Sequence, residues 1–267
     1  MSTLYYAVSD SSAMLWRNLK HALRYPSMTV MLLGIPVIFL LLFVYIFGGT
    51  LGDGLGNGLG GGSGGRSAYA NYVLPGILLI TIAGTATGTA VSVATDMTEG
   101  IIARFRTMAI FRPSVLTGHV LGSMIQTVIA LAAVVGVGLL VGFRPTATPF
   151  EWLAATGVLL MITFATTWFS VACGLVAKSA ESASNMPMPL TLLPFLGSGF
   201  VPTDNMPSAV AWFADYQPFT PVIETLRGLL LGTGIGHNGL LAVAWSVAIA
   251  AGCFLWSRRL YGRDPAN

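Results

Sequence analysis

Charged side chains are scarce in this sequence of 267 residues. Asp, Glu, Lys and Arg make up 9% of it, whereas hydrophobic residues make up 54%. Because a typical soluble domain has roughly a quarter charged residues, this composition excludes a single water-surrounded core. Glycine is abundant, with 32 residues, and small residues let helices approach closely in lipid. We therefore expect an all-α integral membrane protein built as a helical bundle, not a barrel.

Cysteine and lysine are also rare. Cys173 and Cys253 each lie in an apolar run, without a CxxC pattern or a nearby histidine, so we expect packing residues and neither a metal site nor a redox pair. Lys20 and Lys178 are the only lysines, and neither follows a glycine. The chain thus lacks the P-loop pattern in which Gly-Lys holds ATP phosphates, and we predict no ATPase motor within it.

An enzyme active site is not indicated either. The three histidines are scattered along the chain, and most acidic residues fall in predicted loops; the histidines are His21, His119 and His237. This pattern offers neither a nucleophile with its base nor a cluster of metal ligands. We predict no catalytic residues, no metal and no cofactor bound by this chain.

Six charge-free apolar runs have the length that a bilayer requires, about 20 residues in a helix. They cover residues 28–47, 72–95, 116–143, 152–177, 185–203 and 238–257. The first is long enough to be a retained transmembrane helix, not a cleaved signal peptide. The fifth contains Pro187, Pro189, Pro194 and Pro202, and since proline removes a backbone donor, we expect a kinked or short span there.

The basic residues predict the orientation of these spans, because cytoplasmic loops retain Lys and Arg. With both termini in the cytoplasm, ten of the 13 basic residues fall inside: Arg17, Lys20, Arg24, Arg104, Arg106, Arg112, Lys178, Arg258, Arg259 and Arg263. The remaining three, Arg66, Arg144 and Arg227, fall outside. This bias agrees with an even number of spans in a multi-pass protein of the cell membrane.

The segments outside the runs have their own patterns. Residues 1–27 contain a predicted amphipathic helix over 9–24, which we place in the cytoplasmic interface, an ordinary soluble helix being the alternative. Residues 48–65 form a glycine-rich stretch that predicts a flexible external loop. Its GxGxxG pattern has no strand before it and no helix after it, so we do not interpret it as a nucleotide site. Residues 258–267 form a predicted cytoplasmic tail.

The predicted cytoplasmic loop at residues 96–115 is rich in charge. It holds Asp96, Glu99, Gly100, Arg104, Arg106 and Arg112. Apolar residues between these charges share one side of a helix, which predicts a short amphipathic helix suited to docking a partner. The alternative is a basic loop that sets topology beside anionic lipid.

Residues 204–232 are too charged for a helix in lipid and too apolar for a free loop. Asp204, Asp215, Glu224 and Arg227 lie among Trp212, Phe213, Phe219 and a run of leucines. A half-buried, re-entrant hairpin before the last span satisfies both constraints, with its break predicted at Pro218 and Pro221. Glu224 and Arg227 are three residues apart and share a helix face. They could pair as an external gate or as a structural ion pair.

The second run contains a group of small and weakly polar residues. Gly84 and Gly88 lie four residues apart, beside Thr81 and Thr85. The spacing favours close helix packing. The alternative is that these residues line a transport pathway, with Phe39 and Phe43 of the first run adding apolar contacts.

Two strings carry a resemblance to a known family. The loop DMTEGIIARFRTMAIFRPS at 96–114 resembles the second-to-third helix connection of ABC-2 type permeases. The string GFVPTDNMPSAVAWFADYQPFTPVIETLRGLLLG at 199–232 is similar to the daunorubicin-resistance permease branch. It carries, in order, Pro202, Asn205, Pro207, Gln217, Pro218, Glu224 and Arg227.

The resemblance implies a fold and partners. It implies an ABC-2 transmembrane domain at 28–257 with six spans, and a dimer with a second copy or a related half. It also implies two copies of a separate ATPase, which bind ATP and Mg²⁺ and dock on the coupling loop at 96–115. The implied extracellular hairpin corresponds to 204–232. No nucleic-acid partner is expected.

The function expected from these features is a permease subunit of an exporter. The first candidate cargo is an amphiphilic, antibiotic-like drug or a lipid, and the alternative is a glycolipid or polysaccharide. An ATP-independent secondary transporter is less favoured, because the six runs hold no Asp, Glu, Lys or Arg and no inverted repeat is evident. A membrane scaffold without transport is the third class.

Overall fold

The computed structural model describes residues 12, 15, 16, 20, 26–49, 65–100, 113–203 and 206–261. Throughout these ranges the regular structure is helical. The helices are α1 (Pro26–Leu42), α2 (Gly65–Thr98), α3 (Pro113–Val141), α4 (Pro149–Val176), α5 (Ala180–Asn185), α6 (Met188–Leu192), α7 (Ser208–Tyr216), α8 (Phe219–Leu231) and α9 (Asn238–Tyr261). A π-helical turn, Phe43–Phe47, continues α1. The predicted all-α class is confirmed.

Four helices of the described ranges are long and apolar enough to cross a membrane. They are α2, α3 from Leu116, α4, and α9 up to Leu260, and a shorter apolar helix covers Leu32–Phe47 in α1 and its π-helical turn. These segments correspond to five of the six apolar runs.

Helix α2 lies at the centre of the bundle. Its apolar side chains are buried on several faces, including Leu74, Ile77, Leu78 and Ile82, where it packs against α1, α3, α4 and α8. A helix surrounded by others has no polar face to offer, and the sequence of α2 is accordingly apolar through its middle. By contrast, α9 packs along α4 and exposes most of its other side chains.

Helices α1 to α4 alternate in direction and α9 runs parallel to α4, which gives the bundle two ends. We call the end of the bundle where α2, α4 and α9 begin and α3 ends the Arg227 end. We call the opposite end the Asp96 end. Local signals agree with these bounds: Thr148 and Glu151 form a capping box before α4, and Gly232, with a φ of 72°, ends α8 in a left-handed conformation that suits glycine.

The fifth apolar run is not one continuous helix. It forms the end of α5, α6, and a series of turns through Phe200. Pro187 is the N-cap residue of α6, so the predicted effect of the prolines is confirmed. Ala183 belongs to a buried cluster with Ala90 and Ala94 of α2, whereas Gly199 lies against Gly76. These levels of α2 are at least 14 residues apart, or roughly 21 Å at 1.5 Å per residue.

Several predictions concern residues outside the described ranges. Of the predicted N-terminal helix, residues 12, 15, 16 and 20 are described, and they are helical. Residues 50–64 of the glycine-rich stretch lie outside the description, as do residues 101–112, 204–205 and 262–267.

Candidate functional site

Helix α8 carries the charged residues of the predicted hairpin. It follows α7 after a break at Gln217 and Pro218. Pro221, predicted to share this break, lies instead in the first turn of α8. The physical reason is that the first N–H groups of a helix have no intrahelical partner, so proline costs little there. Most of α8 is buried, whereas α7 is largely exposed.

Arg227 is the most connected polar residue at this end. Its side chain pairs with Glu224 one turn earlier, which confirms the predicted pairing. Its Nη2 also donates to the carbonyl of Tyr72 at 3.1 Å and to that of Ser198 at 2.9 Å. The guanidinium lies 3.9 Å from the centroid of the Tyr72 ring, in cation–π geometry. Arg227 is only 7% exposed, so these contacts replace its hydration.

Two further side chains bind the turns that follow α6. Tyr72 donates its hydroxyl to the Ser198 carbonyl at 3.0 Å, and Gln217 donates its amide to the Leu193 carbonyl at 2.9 Å. Gly197 approaches Gln217 so closely that a Cβ there would lie 2.1 Å from the amide nitrogen. Any other residue at position 197 would therefore displace the Gln217 amide from this position.

Together these contacts form what we call the Arg227 clamp, consisting of Tyr72, Gln217, Glu224 and Arg227. The turns at residues 193–200 leave backbone carbonyls without the bonds that a continuous helix supplies. In a bilayer such groups must find a partner within the protein. The clamp provides donors for two of them, at Leu193 and Ser198, and so fixes the interrupted segment against α2 and α8.

A cavity of about 1390 Å³ opens beside the clamp. Its lining includes the polar residues Tyr72, Asp215, Glu224 and Arg227. It also includes apolar residues of α9, namely Leu241, Ala244, Trp245 and Ala248. A space lined by both charged and apolar residues suits an amphiphilic molecule.

The predicted gate residues take different positions around this cavity. Pro202, Glu224 and Arg227 line it. Pro207 and Pro218 are N-cap residues of α7 and α8. Gln217 is buried within the clamp, and Asn205 lies outside the described residues.

The two phenylalanines predicted to line a pathway belong to an aromatic cluster. Phe43 lies 4.5 Å from Phe200, and Phe195 stacks on Phe200 at 4.6 Å between ring centroids. Phe39 meets Phe195 edge-to-face at 6.0 Å. The cluster attaches α1 and its π-helical turn to the interrupted segment, and its rings are in contact with one another.

The small residues of α2 fall into two groups. Thr81 and Thr85 are buried, and Thr85 accepts a hydrogen bond from Thr127 of α3 at 2.9 Å. A Cβ added at Gly84 or Gly88 would meet nothing within 4 Å. Among the described residues, therefore, these two glycines make no close helix contact of the predicted kind. They form an open strip on an otherwise buried helix.

At the Asp96 end, α2 ends beside the predicted coupling loop. Asp96 is buried, and its Oδ2 lies 3.0 Å from Nε2 of His119 in α3. Glu99 is exposed, and Gly100 has a φ of 70° just after the helix. Arg104, Arg106 and Arg112 lie outside the described residues. The apolar run at 72–95 lacks acids, but α2 itself extends to Thr98 and so includes a buried carboxylate.

Sequence reasoning did not find three residues of these two regions. Ser198 contributes a backbone carbonyl, which leaves no mark in a sequence. Tyr72 was counted only as the beginning of a span. His119 stood alone in an apolar run, and a lone histidine at the end of a span is a signal that could have been matched to Asp96. Among the described residues, no group of three metal-ligand side chains is brought together.

Comparison with known proteins shows what this chain resembles. A family model described as ABC-2 type transporter matches residues 10–231. The daunorubicin resistance ABC transporter permease protein DrrB1 of Streptomyces coeruleorubidus is 31% identical over 98% of this chain and 89% of that protein. The probable doxorubicin resistance ABC transporter permease protein DrrC of Mycobacterium tuberculosis is 23% identical over 66% of this chain and 64% of its own length. The chain is a member of the ABC-2 type transporter family.

Proposed function

We propose that this chain is the membrane-spanning permease subunit of an exporter that moves an amphiphilic drug out of the cell, driven by a separate ATPase. The observation that carries the proposal is the 31% identity to a daunorubicin resistance permease over nearly the full length of the chain. The cavity beside the Arg227 clamp, lined by both charged and apolar residues, supports an amphiphilic cargo.

The proposed fold has six spans. Five are α1 with its π-helical turn, α2, α3, α4 and α9. The sixth crossing is the interrupted segment from α5 to Phe200, and its support is that Ala183 and Gly199 contact α2 at levels roughly 21 Å apart. Helices α7 and α8 then form the re-entrant hairpin, which lies beside α2 without a full crossing.

The proposed orientation places the Asp96 end in the cytoplasm. Lys178, Arg258 and Arg259 lie at this end of the described helices, whereas Arg66, Arg144 and Arg227 lie at the other. Because positive charge is retained on the cytoplasmic side, both termini are then cytoplasmic. The Arg227 clamp and its cavity face the exterior.

The ATPase is proposed to dock at the cytoplasmic end through the loop that joins α2 to α3. Its interface comprises Asp96, Glu99, Gly100, Arg104, Arg106 and Arg112. The exposure of Glu99 supports a direct contact, whereas buried Asp96 acts by holding the base of the loop. Two ATPase copies, each with ATP and Mg²⁺, serve a dimer of this chain or of this chain and a related half.

The transport pathway is proposed to run along the open strip of α2 at Gly84 and Gly88. A Cβ at these positions would meet none of the residues that the structure describes within 4 Å, and a second permease copy facing them would enclose a passage. Thr81 and Thr85 are buried residues of α2 beside this strip. Phe39 and Phe43 lie in the aromatic cluster and border the pathway from α1.

Glu224 and Arg227 are proposed to maintain the shape of the outer mouth as part of the clamp. Support comes from the two carbonyls that Arg227 binds in addition to Glu224. Arg227→Lys keeps the charge but cannot reach both carbonyls and Glu224 in one planar fork. Stability and transport should then decline together. A variant as stable as the parent that had lost transport would favour a gate instead.

The test of the main proposal uses the assembled complex. The permease is copurified with a candidate P-loop ATPase and reconstituted in liposomes, and vanadate-sensitive ATP hydrolysis and daunorubicin transport are measured. The expected result is ATP-dependent transport that disappears when the P-loop lysine of the ATPase is changed to alanine. A permease that binds no ATPase would refute the proposal, and transport of a glycolipid but not of daunorubicin would reassign the cargo.

A further inference from the structure

Three hydrogen bonds between side chains form rungs across the facing surfaces of α2 and α3. They join Thr127 to Thr85 at 2.9 Å, Thr89 to Ser123 at 2.6 Å, and His119 to Asp96 at 3.0 Å. All six residues are buried. We refer to them as the α2–α3 seam.

The spacing of the seam follows helix geometry. On α2 its members lie four and seven residues apart in succession, and on α3 they lie four apart, so each set occupies one helix face. The numbering rises on α2 as it falls on α3, as antiparallel packing requires. Val93, Leu116 and Val120 pack together near the last rung. The rungs are therefore embedded in apolar surroundings that exclude water.

Polar rungs constrain the two helices in a way that apolar contacts do not. Apolar side chains can exchange neighbours when one helix slides along another. A slide of one turn here would break all three rungs. Thr127 and Thr89 each have a carbonyl of their own helix within hydrogen-bond distance, at Ser123 and Thr85, so their hydroxyls would stay satisfied. The contact between His119 and Asp96 would be lost where no water replaces it. The last rung is also the most polar, since it pairs a carboxyl group with an imidazole ring.

We propose that the Asp96–His119 rung is a positioning contact for energy coupling, which makes α2 and α3 move as one body. This inference rests on the proposed function, because the chain between these two helices is the proposed ATPase contact. With the rung in place, a force on the loop that joins α2 to α3 displaces both helices together. Without it, α2 and α3 respond separately, and part of the ATPase movement does not reach the pathway.

The first test compares variants of the reconstituted complex, with daunorubicin as the probe. For His119→Ala we expect unchanged copurification of the ATPase and a transport rate per ATP hydrolysed that falls about fivefold, a typical size for a coupling contact. His119→Gln keeps a donor amide and should stay within about twofold of the parent. His237→Ala, at an exposed position of the other end, is the matched control.

The outcomes separate this inference from the proposed function. If the parent complex neither binds ATPase nor transports, the proposed function fails. If the parent is coupled and His119→Ala leaves transport per ATP unchanged, the inference alone is overturned. An equal decline of hydrolysis and transport in His119→Ala would also overturn it, since that result indicates general damage.

A second test does not depend on the stability of His119→Ala. In a chain with Cys173→Ala and Cys253→Ala, the neighbouring rung is replaced by Thr89→Cys with Ser123→Cys and oxidised. If α2 and α3 move as one body, the oxidised complex should transport within about twofold of the same complex after reduction. A crosslink that abolishes transport reversibly would overturn the inference, as would failure of the pair to crosslink.

Discussion

At the Arg227 end, long side chains donate to backbone carbonyls of an interrupted segment, whereas at the Asp96 end side chains pair with one another between two continuous helices. The helices of the seam keep their own backbone hydrogen bonds without the rungs. The turns at 193–200 make fewer such bonds, with the N–H groups of Phe195 and Leu196 donating to the Leu192 carbonyl. Removing one polar group should therefore cost more stability at the Arg227 end, and the following substitutions test that difference.

The largest effect is expected for Arg227→Ala. It removes the donor to the Ser198 and Tyr72 carbonyls and leaves Glu224 without its partner. Breaking a fully buried ion pair costs about 3–5 kcal/mol, and because the Glu224 side chain is 29% exposed we expect a loss at the lower end of that range. The measurement is the unfolding midpoint of the purified chain in detergent. Arg259→Ala, an exposed arginine at the Asp96 end, is the control and should change little. Equal changes in the unfolding midpoint for Arg227→Ala and Arg259→Ala would contradict the proposed difference in stability between the two ends.

The next effect is expected for Gly76→Ala. A Cβ there would lie 2.8 Å from the carbonyl oxygen of Gly199, and backbone cannot move aside as a side chain can. We expect a loss of about 2–3 kcal/mol, at the upper end of typical overpacking costs. Gly84→Ala is the matched control on the same helix, because its Cβ meets nothing within 4 Å. Gly84→Ala should be as stable as the parent chain. A loss of stability in this variant would contradict the conclusion that Gly84 lies in an open strip.

A smaller effect is expected for Gln217→Leu. The change keeps the approximate volume but removes the donor to the Leu193 carbonyl. A buried acceptor left without a partner costs about 1–2 kcal/mol. Hydrogen–deuterium exchange should rise in residues 193–200, while exchange in α3 stays at the parent level. Faster exchange spread evenly over the bundle would argue against a local role for Gln217.

The smallest effect is expected within the seam. Thr89→Val and Ser123→Ala, singly and together, form a double-mutant cycle across the 2.6 Å rung. Side-chain hydrogen bonds between membrane helices average about 0.6 kcal/mol in such cycles, so we expect a coupling energy near that value. A coupling energy as large as the free energy of unfolding lost in Arg227→Ala would mean that polar contacts contribute equally to stability at the two ends.

The sequence allowed the parts of this arrangement that depend on local spacing to be predicted. Glu224 and Arg227 are three residues apart, which was enough to predict their pairing. The prolines from Pro187 onward predicted an interrupted fifth run. The all-α class followed from apolar runs of spanning length.

The parts that depend on long-range register were not predictable in the same way. Arg227 binds the carbonyls of Tyr72 and Ser198, and any residue type could supply a carbonyl there. Asp96 and His119 meet only because α2 and α3 pack with one particular offset. Pro221 was placed at a break because proline is compatible with both a break and a first helical turn, and the sequence alone does not distinguish them.

The bond from Arg227 to the carbonyl of Tyr72 spans 155 positions of the chain. At a synthesis rate of 5–20 residues per second, Arg227 is made roughly 8–30 s after Tyr72. Helix α2 must therefore enter the membrane before Arg227 is synthesised, and so without that contact. During biogenesis the first helices thus form an incomplete intermediate, and the completed contact marks a chain whose later segments have inserted correctly. Quality-control proteases of the membrane would encounter Arg227→Ala as a chain that remains at this earlier stage.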